Sequence, residues 1–95
     1  MSDEVRSVRV RISGRVHGVG FRAWTQQTAM DLALTGWVRN RRDGTVEAML
    51  AGDPADVAEM LRRCRSGPSG AVVTGVAILQ EGEDTVGGFE IRDTE

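Results

Sequence analysis

The period of the apolar residues switches between two and about 3.6 along this 95-residue chain, and the order of those switches restricts it to a small set of folds. Val8, Val10 and Ile12 alternate with Arg9, Arg11 and Ser13, the pattern of a strand with one face on a core and one in water. Phe21, Thr25, Ala29 and Leu32 then fall at helical spacing, flanked by Trp24 and Met30, with Thr35-Gly36 as the stop. Trp37 to Arg42 and Thr45 to Ala51 read as strands around Asp43-Gly44, which suits a two-residue type I′ hairpin turn. Asp53 can cap a second helix opening at Pro54, with Val57, Met60, Leu61 and Cys64 on one face, Arg62, Arg63 and Arg65 at its negative end, and Gly67-Pro68 as its stop. A Val- and Ile-rich strand from Ala71 to Leu79 follows. A flexible glycine-rich, acidic stretch from Glu81 to Gly88 leads to a short alternating piece at Phe89 and Ile91. This order predicts an α+β fold of the ferredoxin-like type over residues 1–95 as one domain: a βαββαβ plait whose antiparallel sheet carries both helices on one face, with a short extra C-terminal strand.

Such a plait hosts many functions, so the site has to decide among them. The segment from Gly14 to Arg22, GRVHGVGFR, joins the first strand to the first helix. Gly14, Gly18 and Gly20 permit left-handed backbone, which lets successive N–H groups converge on one concavity. The loop runs into a helix N-terminus with unpaired N–H groups, and Arg15 and Arg22 bracket it. A phosphoryl group suits that environment. The segment is not a P-loop, because the chain contains no lysine and Phe21-Arg22 stand where Lys and Ser or Thr would be. Nor does its glycine spacing match a dinucleotide fingerprint.

The charges are lopsided. Residues 1–42 hold eight Arg against Asp3, Glu4 and Asp31, whereas residues 43–95 hold four Arg against eleven acids, and the formal net charge is -2. Most of these charges are read as solvated surface, with Arg15 and Arg22 as exceptions offering planar, bidentate anion contacts. The single cysteine, Cys64, provides neither a disulfide framework nor a thiolate metal cluster. No apolar run approaches the roughly 20 residues that span a bilayer, and the N-terminus lacks the apolar core of a secretion signal, so a cytoplasmic protein with no membrane partner is expected; a monomer is the expected state. Few aromatics and a pI near 5.4 argue against a nucleic-acid module.

Asn40 lies in Gly36-Trp37-Val38-Arg39-Asn40, just before the turn, where asparagine is a poor strand former. GRVHGVGFR, GWVRN followed by Asp43-Gly44, Gly67-Pro68-Ser69-Gly70-Ala71 before a Val-rich strand, and the terminal Phe89-Glu90-Ile91 together resemble the acylphosphatase family over almost the whole chain. The resemblance implies an enzyme that hydrolyses carboxyl–phosphate bonds of small acyl phosphates with no metal and no cofactor. By that resemblance, Arg15, Val16, His17, Gly18, Val19, Gly20 and Phe21 form the loop that cradles the phosphate, Arg22 clamps it, and Asn40 positions the attacking water. Two positions depart from the family pattern: His17 stands where Gln is general, and Ala33 where glycine is common at the end of the first helix. His17 is read as structural, since no carboxylate is recognisably paired with it; Ala33 is expected to be strained if its backbone is left-handed. Trp24 and Trp37 are read as packing residues. The alternative within the same resemblance is a non-catalytic or carbamoyl-phosphate-handling module of a larger protein.

Overall fold

The computed structural model describes residues 4–83 and 87–95. Its elements are β1 (Arg6–Arg15), α1 (Phe21–Asp31), β2 (Thr35–Asn40), β3 (Val46–Gly52), α2 (Pro54–Cys64), β4 (Val72–Glu81) and β5 (Phe89–Ile91). The sheet order is β4-β1-β3-β2-β5. β3 runs antiparallel to β1 and β2, and β4 antiparallel to β1, which makes each helix the crossover of a split βαβ unit. The terminal strand β5 lies parallel to the outer edge of β2, so the complete sheet is mixed. Part of the glycine-rich stretch from Glu81 to Gly88 lies outside the described residues.

Strand register sorts the side chains. Val8, Val10 and Ile12 face across to Leu50, Ala48 and Val46, and all six are buried beneath the helices. The helical faces expected from periodicity close the core with Phe21, Thr25 and Ala29 from α1 and Val57, Met60 and Cys64 from α2. α2 begins as its sequence predicts, with Pro54 in the first turn and the Asp53 carboxylate accepting the Ala55 N–H at 2.9 Å.

Strand ends shift from expectation by one or two residues, and two connections differ in kind. α1 ends at Asp31 rather than running to Thr35-Gly36, because Ala33 takes φ 56 and reverses the chain. Leu34 N–H bonds to Ala29 C=O at 2.8 Å and Ala33 N–H to Met30 C=O at 3.0 Å, the paired bonds of a Schellman motif. Thr35 and Gly36 are therefore the first residues of β2, and at Gly36 a Cβ would stand 1.8 Å from the Met49 carbonyl oxygen. The β2–β3 connection is also longer than a two-residue type I′ turn. Arg41 N–H bonds to Thr45 C=O and Gly44 N–H to Arg41 C=O, while Gly44 at φ 92 is the only left-handed residue of the loop. Asp43 is kept out of that region by accepting both the N–H and the hydroxyl of Thr45, at 2.9 and 2.6 Å.

The sheet face opposite the helices holds a buried acid that charge counting took for surface. Glu47, 4% exposed, accepts from Arg39 at 2.7 Å, Arg9 at 2.9 Å and Arg41 at 3.3 Å. Beside it the guanidinium groups of Arg39 and Arg92 lie over the Trp37 ring, 4.7 and 4.8 Å from its centroid. Trp24 lies on the helix side, edge-on to Phe21 with ring centroids 5.3 Å apart.

Candidate active site

The turn from β1 into α1 takes its shape from glycine. Gly18 and Gly20 adopt φ 71 and 75, and Gly20 is the N-cap of α1. Having no side chain, it makes no capping bond, and the first turn of α1 holds no acidic residue. α2 in the same chain has Asp53 in that role. The first N–H groups of α1 thus keep their partial positive charge facing outward, where an anion can take them up.

That helix end opens on a cavity of about 310 Å³ lined by Val16, Gly18, Gly20, Phe21, Arg22, Ala23, Asn40 and Ile91. Arg22 is its one charged group, half-buried and without an ion pair among the described residues. Asn40 reaches the same space through strand alternation. It follows Gly36 and Val38 on the helix-facing side of β2, opposite Val46, at the end of the strand where the loop also lies. Its carboxamide makes no side-chain hydrogen bond among the described residues, although its backbone C=O accepts the Glu95 N–H at 3.0 Å. Val16 and Phe21 are buried and anchor the two ends of the loop in the core.

Of the residues expected at the site, the structure brings Val16, Gly18, Gly20, Phe21, Arg22 and Asn40 to one cavity and leaves the side chains of three others outside its lining. Arg15 ends β1, exposed and paired with Val72, so only one of the two expected guanidinium groups is at the cavity. Val19 packs against the core. The His17 ring turns to the hairpin, its Nε2 2.8 Å from the Thr45 carbonyl oxygen. Two lining residues were not foreseen. Ala23 follows Arg22 on the first turn of α1, and Ile91 arrives from β5, whose position beside β2 no local pattern encodes.

The fold is a ferredoxin-like plait in which an uncapped helix start, one guanidinium group and one unengaged carboxamide face a single cavity. The acylphosphatase family model matches residues 8–91, and the chain belongs to that family. An acylphosphatase from Rhizobium etli is 57% identical over 76 residues, which span 80% of this chain and 81% of that one. An acylphosphatase from Synechococcus sp. is 51% identical over 94 residues, 99% of each chain. Among solved structures, an acylphosphatase from Coxiella burnetii superposes with a TM-score of 0.89 at 30% identity, covering 97% of this chain and all of that one. Full-length HypF, in its phosphate- and nucleotide-bound form, contains a matching region with a TM-score of 0.87 and 25% identity, covering 99% of this chain and 13% of that one.

Proposed function

We propose that the protein hydrolyses small acyl phosphates to a carboxylate and inorganic phosphate by direct in-line attack of water, with no metal, cofactor or covalent intermediate. The observation that carries this is the meeting of Arg22 and Asn40, from different elements, at one cavity beneath an uncapped helix N-terminus. Arg22 and the amides of residues 15–21 would bind the phosphoryl oxygens as fixed donors, which need not reorganise as charge shifts among those oxygens. The Asn40 carboxamide would hold water by one donated or accepted hydrogen bond, and it aligns without acting as a base.

No general acid is required. The leaving group is a carboxylate whose conjugate acid has a pKa of roughly 4, so it departs unprotonated, and the substrate phosphate can take the proton from water. Ordinary phosphate esters, with far more basic leaving groups, should be poor substrates. Hydrolysis of benzoyl phosphate in the presence of a chelator, with an alkyl phosphate ester as control, tests the proposal. Arg22→Ala should weaken inorganic phosphate binding and turnover together, whereas Asn40→Ala should lower kcat by about 100-fold or more while phosphate still binds. A full rate in Asn40→Ala would overturn its assignment. We further infer that the protein works as a monomer in the cytoplasm without nucleic acid or membrane partners; size-exclusion chromatography across a concentration series tests the first of these.

A further inference from the structure

The Thr45 carbonyl oxygen stands between the two halves of the site. It accepts the Arg41 N–H at 2.8 Å, and the His17 Nε2 lies 2.8 Å from the same oxygen, so the two bonds use both of its lone pairs. His17 belongs to the loop around the cavity, and Arg41 follows Asn40 directly. A ring nitrogen bonded to a carbonyl oxygen must carry a proton, so Nε2 is a donor here and is not free to accept a phosphoryl group. Thr45 is itself held, since its N–H and hydroxyl both go to the Asp43 carboxylate.

We propose that His17 is a positioning residue, fixing the phosphate-binding loop relative to Asn40 through the shared Thr45 carbonyl. This rests on the acyl-phosphate hydrolysis proposed above. In-line attack depends on the spacing between the water held at one element and the phosphorus held at another, and a displacement of about 1 Å can cost 100-fold in rate. The loop and β2 are joined covalently only through α1, so a strut from His17 to the Thr45 carbonyl, which also holds the Arg41 N–H next to Asn40, narrows their relative motion. The chemistry of the strut is one N–H donor on a side chain long enough to reach the hairpin. Glutamine has such a donor, whereas leucine fills similar space without one.

The test compares His17→Gln and His17→Leu in the full chain, with benzoyl phosphate as substrate and inorganic phosphate as competitive inhibitor. His17→Leu should lower kcat by about 10- to 100-fold while the inhibition constant for phosphate moves less than about threefold. His17→Gln should recover most of that loss. In an Asn40→Ala background, His17→Leu should add no further loss, because the alignment it supports is already gone. An undiminished kcat in His17→Leu, equal losses in the two variants, or losses that add in the double variant would each overturn the assignment. Wild-type inactivity toward every acyl phosphate would instead remove the proposed function and, with it, the catalytic part of this role. The tether would then be judged by the Arg41 amide proton, whose NMR shift should move in His17→Leu and return in His17→Gln.

Discussion

Replacing Ala33 by glycine should make this protein more stable, and the size of the gain follows from the end of α1. Ala33 is the C′ residue of a complete Schellman motif, with the Ala33 N–H to Met30 and Leu34 N–H to Ala29 bonds both formed. Its φ of 56 lies in the left-handed region, where a Cβ meets the following carbonyl at a cost of about 1–2 kcal/mol. Glycine removes that strain and, because residue 33 is exposed, the lost methyl takes little buried surface with it. Against this stands the greater freedom of glycine in the unfolded chain, about 0.4–1 kcal/mol. The difference between these two ranges centres on a stabilisation of about 0.8 kcal/mol, which for a domain of this size raises Tm by about 3–6 °C. Urea unfolding of Ala33→Gly and wild type should show a higher midpoint with an unchanged slope, and activity on benzoyl phosphate should not change, since residue 33 lies at the opposite end of α1 from the cavity. A Tm equal to or below that of the wild type would refute the assignment of strain, and would mean that unfolded-state entropy outweighs the left-handed penalty here.

Burial raises the carboxyl pKa of Glu47, but hydrogen bonds from Arg39 and Arg9 outweigh it and hold the pKa below the usual 4.5. The stabilisation this contributes is therefore complete above that value and is lost as pH falls through the lower folded-state value. Glu47→Gln should cost about 1–3 kcal/mol at neutral pH by leaving three arginines short of their acceptor, and should flatten the acid limb of a Tm-against-pH series; an unchanged limb would show that other carboxylates govern acid unfolding. Burial pushes the Cys64 thiol up to about 12, so a thiol-specific disulfide reagent should leave the native protein unmodified and react once it unfolds. Rapid native-state labelling would contradict the packing of α2.

Much of the fold was legible in local pattern, because alternation and helical spacing report directly which side of an element is dry. β1, the buried faces of both helices, the Asp53 cap and the strand at Phe89 all follow from residues within one element. Turn chemistry was less legible. Asp-Gly is compatible with more than one hairpin connection, and the choice was made by the hydroxyl and N–H of Thr45 engaging Asp43. Periodicity misplaced the end of α1 because alanine at a left-handed C′ carries no stop signal of its own, although the family resemblance had marked residue 33 as the helix end; Gly36, which does look like a stop, is required by the close approach of the Met49 carbonyl in β3. Glu47 looked like one more surface charge, and only the strand pairing that sets Arg39 opposite it and brings Arg9 and Arg41 within bonding distance shows why it can be buried.

At the site, local pattern was enough to read the glycine loop, the start of α1 without a side-chain cap, Arg22 beside it and Asn40 at the end of a strand, since each is a property of a short stretch of chain. Strand order and packing set which of the two loop arginines lines the cavity, how Asn40 on β2 comes to line it with Arg22, that Ile91 lines it from a parallel edge strand, and that His17 donates to the hairpin. The physical reason is that these are distances between elements, fixed by strand order and packing, whereas the sequence pattern records only the direction in which each residue points from its own element.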